Sequence, residues 1–132
     1  MYKILTLSII LLVACATKTT DYKKAENAFD AGREFIDAGY KGDFTKAAFF
    51  MLADQTNQQL LGALETEYRG KDKEGRQQSR TASINIIQVD DIDSISTVIQ
   101  YSSSFEKSIK KIKVVKKEAN WLVDYKYSFS TK

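Results

Sequence analysis

Three groups of side chains in this sequence could do chemistry. The tightest acidic group is Asp90, Asp91 and Asp93 in the run DDID. Neighbouring carboxylates can hold a hard cation, but a calcium loop needs more oxygen ligands in a set order, usually with a Gly and a terminal Glu. DDID lacks both, so it reads as a polar hairpin turn and no metal or other cofactor is expected. One Asp beside a Tyr could move a proton, and Tyr40, Tyr68 and Tyr101 are the candidates. The second group is the run from Lys107 to Lys117, KSIKKIKVVKK, with six Lys and no acid. Its interleaved apolar residues suit a strand, with Lys on a solvated face or on an edge that deters unwanted pairing. The alternative is that Lys107, Lys110, Lys111, Lys113, Lys116 and Lys117 contact an anionic lipid headgroup or polymer. The third is the lone thiol, Cys15. One Cys and no His exclude an internal disulfide, Ser-His-Asp and Cys-His catalysis, and the usual zinc sites. The absence of Pro excludes a proline-rich recruiting segment.

Cys15 closes an unusual N-terminal stretch, MYKILTLSIILLVAC. Lys3 is a short positive region, and Ile4 to Val13 is apolar apart from Thr6 and Ser8. As a helix this run is about 15 Å long, whereas a membrane span takes about 20 residues. It has the length and flanks of a secretory signal; a buried N-terminal helix is the alternative. Leu12-Val13-Ala14-Cys15 resembles the lipobox of bacterial lipoproteins. That resemblance implies removal of residues 1–14, a diacylglycerol on the Cys15 sulfur, and residues 15–22 as a lipidated tether. Each buried CH₂ is worth about 0.8 kcal/mol, so two or three acyl chains anchor a protein firmly in the membrane. Ala16 in place of Asp resembles Gram-negative lipoproteins released to the outer membrane, facing the periplasm. In a Gram-positive cell the same motif implies the outer face of the cytoplasmic membrane. Loss of residues 1–14 removes Lys3 and no acid, taking the formal charge from +3 to +2. A nearly neutral exported chain is no candidate for nucleic acid.

These candidates need elements to position them. Ala25, Ala28, Phe29, Gly32, Phe35 and Ile36 recur at helical spacing, predicting a helix from about Lys23, capped by Asp21 and bracketed at its end by Gly39 and Gly42. Asp43 can cap a second helix with Phe44, Ala47, Ala48, Met51 and Leu52 inside. A third begins near Asp54 or Thr56 with the stripe Leu60, Leu61, Leu64 and Tyr68, after either a break or a kink at Ala53-Asp54. The segment 69–80, RGKDKEGRQQSR, has no apolar side chain and reads as a solvated loop, with contact to phosphate or anionic lipid as the alternative. From Thr81 the period becomes two. Ile84 and Ile86 face one way, Ile87 and Val89 the other, and Ile95, Thr97, Ile99 and Tyr101 follow the DDID turn. Ile109, Ile112, Val114 and Val115 form a third strand. Lys117–Asn120 turns the chain into the alternation Trp121, Val123, Tyr125, Tyr127, Phe129. Helices followed by a meander of about four antiparallel strands make one α+β domain over residues 23–132, with the helices packed on a curved sheet.

The run GYKGDFTKAA at 39–48 and KKEANWLV at 116–123 resemble the first helix–helix step and the last hairpin of NTF2-like domains. With the lipobox, the chain resembles small bacterial lipoproteins carrying NTF2-like or cystatin-like domains, including the DUF4878 type. The resemblance implies a cone of helices inside a bent sheet, often with a pocket at the open end and with dimers formed through the sheet. Phe29, Phe35, Phe44, Tyr101, Trp121 and Tyr125 read as ordinary core packing on inward stripes, with the lining of such a pocket as the alternative. Some relatives are isomerases or dehydratases, but the dehydratases use an Asp-His pair and this chain has no His. The function expected is therefore binding or scaffolding at the envelope, with an envelope protein, an anionic lipid or polymer, or a second copy as partner. The alternative is a carrier of a small apolar ligand, or an enzyme with an Asp/Tyr pair in the cone.

Overall fold

The computed structural model describes residues 21–130. Cys15, the apolar run before it and most of the tether lie outside the described residues. The first helix, α1 (Ala28–Lys41), starts later than its apolar pattern predicts. The cap is Asn27, not Asp21: its side chain accepts from the Asp30 N–H at 2.8 Å. The helix ends at Gly42, whose φ of +74° allows its N–H to reach the Ala38 and Gly39 carbonyls. A Cβ there would also lie 2.5 Å from the Tyr68 ring, so the position excludes any larger residue.

Three more helices begin with the same device. α2 (Phe44–Phe49), α3 (Gln55–Gly70) and α4 (Lys73–Arg80) start after Asp43, Asp54 and Asp72, and each carboxylate accepts an N–H from the first turn. The step at Ala53-Asp54 is a true break. Before it, Phe50 and Leu52 exchange backbone hydrogen bonds with Val123 at 2.7 and 2.9 Å. The segment expected as a loop over 69–80 is corrected: α3 runs through Gly70 and α4 occupies Lys73–Arg80. Lys, Glu, Gln and Arg are good helix formers. The tie to the core is the hydroxyl of buried Ser79, which donates to the Tyr40 carbonyl at 2.7 Å.

The sheet comprises β1 (Ile84–Asp93), β2 (Ser96–Ser103), β3 (Lys110–Lys117) and β4 (Asn120–Asp124), in that spatial order and antiparallel throughout. The molecule is thus an α+β fold, helices first and a four-strand meander after. α1 lies across the sheet and touches every strand. At Gly32 the helix comes so near that a Cβ would lie 2.4 Å from Ile99 Cδ1. Ala31, Ala47, Ile99, Ile112, Val114 and Val123 form the fully buried centre.

Two further expectations are corrected. Asp90, Asp91 and Asp93 are not the turn but the end of β1, opposite Val98, Thr97 and Ser96, and the turn falls at Ser94-Ile95. A bulge at Ile87 places Ile86 opposite Tyr101 and Val89 opposite Ile99, so Val89 joins the face of Ile86 instead of opposing it. The last alternation is also shorter than predicted. β4 stops at Asp124, and Tyr127–Ser130 forms a short helix, α5. The cause is Asn57, whose side-chain oxygen captures the Lys126 N–H at 2.7 Å and turns the chain out of the sheet.

Candidate functional site

Beyond the fully buried centre, toward the C-terminal end of α1, helices and sheet diverge around a cavity of about 610 Å³. α1 contributes Phe35, Ile36 and Tyr40. α3 contributes Leu60, Leu64, Glu67 and Tyr68 from consecutive turns of its inner face. β2 supplies Tyr101, the β2–β3 connection Phe105 and Glu106, and β3 Lys110. Tyr125 and Phe129 close the side next to α5. Tyr125 lies between Phe35 and Phe129, with ring centroids 5.2 Å from each.

Two of the lining phenols, Tyr101 and Tyr125, are held neutral. Burial is the main cause at both Tyr101 and Tyr125. It raises Tyr101 far above the ordinary tyrosine range and pushes Tyr125 up to about 12. Ser79 donates to the Tyr40 backbone carbonyl, and Lys110 Nζ stands 5.9 Å from the Tyr40 ring centroid. The Tyr40 hydroxyl is buried and has no hydrogen-bond partner among the described residues.

Four of the charges in the lining are paired, and Lys111 lines it as well. Lys110 bonds Glu106, and Lys71 lies 3.4 Å from Glu67 and 5.6 Å from the Phe105 ring centroid. Burial pulls the Lys110 pKa down, but the Glu106 hydrogen bond and neighbouring acids outweigh it and the net shift is upward. Lys110 therefore stays charged and paired. The two carboxylates of the lining, Glu67 and Glu106, each have a lysine partner.

The residues singled out from sequence divide. Phe35, Tyr101 and Tyr125 line the cavity, as do Tyr40 and Tyr68. Phe29, Phe44 and Trp121 do not. Phe29 is on the exposed side of α1, Phe44 is buried edge-on against Tyr68 at 5.7 Å, and Trp121 lies beneath Lys116 at the last hairpin. Among the described residues no Asp lines the cavity, so no Asp/Tyr pair is assembled from them there; Asp91 instead accepts from the Thr97 hydroxyl at 2.7 Å. The Lys run is split by the strand's alternation. Lys110 and Lys111 line the cavity, and Lys113 covers the Tyr127 ring at 5.9 Å. The Lys111 carbonyl accepts from Ser128, and Lys107 and Lys117 are exposed. Sequence reasoning missed Glu67, Lys71, Ser79, Phe105 and Glu106. Glu67 does continue the spacing of Leu60 and Leu64, but Phe105 and Glu106 sit in a connection with no period to mark them.

Among the described residues, no cluster of three His, Cys, Asp or Glu side chains is placed to hold a metal ion, and no helix is long and apolar enough to cross a membrane. No family model matches the chain, and no curated protein matches it.

Proposed function

We propose that this chain is a lipid-anchored binding domain of the bacterial envelope, NTF2-like in plan, whose cavity holds a small and mainly apolar ligand. The observation that carries the binding reading is the cavity of about 610 Å³ walled by Phe35, Leu64, Phe105, Tyr125 and Phe129. That volume falls in the range of small-molecule sites, about 300–1,000 Å³. The envelope location rests on the lipobox at Leu12–Cys15 and the signal pattern before it. The NTF2-like plan is supported by the order of elements, helices then an antiparallel meander, with a cavity between the two layers. The enzyme reading has less support, because both carboxylates of the lining are engaged by lysines.

Two measurements test this. The mass of the native membrane-extracted product should correspond to a chain beginning at Cys15 and carrying acyl groups; an unmodified chain beginning at Met1 rejects the anchor. The mature chain with Cys15→Ser should bind the neutral fluorophore N-phenylnaphthylamine saturably. Leu64→Trp, which fills the cavity, should abolish that binding while leaving the far-ultraviolet circular dichroism intact. Binding that survives in a folded Leu64→Trp chain would place the ligand elsewhere.

A further inference from the structure

Resting on the lipid-anchor reading, we infer that the end of the sheet carrying both hairpin tips is seated on the bilayer that holds the anchor, with Ile92, Ile95 and Trp121 at its surface. The two tips adjoin. The Ile95 carbonyl accepts from the Lys116 N–H at 2.8 Å, and Lys116 Nζ stands 5.5 Å from the Trp121 ring centroid. Ile92 and Ile95 are 61% and 53% exposed, at a place where chains usually carry polar turn residues. Exposed apolar groups gathered in one place mark contact with a partner or a membrane.

The chain enters the fold at this same end. The segment holding Phe50 and Leu52 runs parallel to β4 and bonds to Val123, so Phe49 lies toward Trp121. Tyr22 packs on the exposed Phe49, ring centroids 5.4 Å apart. The direction of α1 agrees: Tyr40 is beside Lys110 and Gly32 beside Ile112 and Val114, so its N-terminus points toward Lys116 and the tips. Asp21 is six residues from Cys15, a reach of at most about 20 Å. A folded unit the size of residues 21–130 is about 35 Å across. An acylated Cys15 therefore keeps this end near the bilayer and the opposite end, with the cavity, away from it.

Charge does not drive the contact. Lys23, Lys24, Lys116 and Lys117 are met there by Asp21, Glu26, Asp93 and Glu118, and Asp91 lies just beyond. Lys23 and Glu26 are already joined at 2.7 Å. An anionic headgroup thus finds no excess of positive charge, and apolar burial does the work. The two isoleucines enter the acyl boundary. Trp121 and Tyr22 suit the interface, where one end of the ring is apolar and the other wet. The Lys116 and Lys117 stems lie along it with their ammonium groups in water.

The lone Cys and the lone Trp make the test direct. The mature chain beginning at Cys15 is coupled through that thiol to a maleimide lipid in phosphatidylcholine vesicles, which anchors it whether or not the cell acylates it. Trp121 emission should shift to the blue. It should also lose most of its intensity when the acyl chains of the vesicle carry bromine, a quencher that acts only at short range. Ile92→Asp combined with Ile95→Asp should restore most of that intensity, with coupling and circular dichroism unchanged. Ile109→Asp, equally exposed but at the cavity end, should leave the quenching as it is. Replacing part of the lipid with phosphatidylglycerol should change nothing. An unquenched Trp121 in the coupled wild-type chain overturns the seating. Quenching that survives both Asp substitutions, or that needs the anionic lipid, overturns it as well. A native chain found unacylated rejects the anchor, whereas a coupled chain left unquenched rejects only this face.

Discussion

Tyr40 and Asn57 are both polar groups withdrawn from water, and the fold treats them differently. Asn57 is fully buried and fully used. Its amide donates to Asp54 at 2.8 Å and Asp124 at 3.1 Å, and its oxygen accepts from the Lys126 N–H. Asn57→Ala would strand that N–H and release the end of β4 from the start of α3. A loss of about 2 kcal/mol is expected, read as a lower urea midpoint. Tyr40 presents the reverse case, since its hydroxyl has no partner among the described residues. Tyr40→Phe removes an unsatisfied group, so the ligand-free chain should gain up to about 1 kcal/mol in the same assay. A loss of stability would mean that the hydroxyl is already satisfied.

At the scale of elements, the last hairpin is held at a cost. Lys117 and Asn120 pair across a two-residue turn, and both turn residues, Glu118 and Ala119, have positive φ, 50° and 64°. Such a turn matches the twist of the strands but favours Asn-Gly. A residue with a Cβ pays about 1–2 kcal/mol in this region of backbone space. Ala119→Gly should therefore raise thermal stability by about 1 kcal/mol, seen as a higher melting temperature with unchanged probe binding. At the opposite side of the sheet, β1 is an edge among the described residues. Its two irregularities, at Ile87 and Ile92, and its run of Asp residues are devices that discourage pairing with another strand. β4 is covered instead, by Phe50 and Leu52.

For the molecule as a whole, the two buried phenols tie stability to alkaline pH. Tyr125 has a folded pKa of about 12 against about 10 in an unfolded chain. Its raised value means that the folded form holds the proton more tightly. The stability this contributes is complete below about pH 10 and is lost as pH rises through about 12. Tyr101 is shifted in the same direction. Urea midpoints should fall steeply above about pH 10, and phenolate absorbance should show Tyr101 and Tyr125 ionising with unfolding. Tyr125→Phe should make that fall shallower. If all tyrosines ionise freely in the folded chain, the packing of the cavity wall described above is wrong.

Much of the architecture is legible in the residues themselves, because it depends on local rules. An Asp before an apolar run caps a helix, as at Asp43 and Asp54. The spacing of Leu60, Leu61, Leu64 and Tyr68 marks the inner face of α3, and alternation marks Ile112, Val114 and Val123 as buried. Periodicity fails where apolar side chains are missing or are overruled. α4 has no apolar residue to show its period, Ile87 reverses a face by adding one residue to a strand, and Asn57 ends β4 from far along the chain. The same limit governs the site. A stripe tells which side of an element turns inward, so Phe35, Tyr101 and Tyr125 were within reach from sequence. It does not tell which end of that side the other layer leaves uncovered. Only the packing of α1, α2 and α3 against the sheet separates Phe35 from Phe29 and Phe44, and brings Glu67 and Glu106, far apart in the chain, into the lining of one chamber with their lysines. Periodicity is set by neighbours along the backbone, whereas a cavity is set by where packed layers diverge.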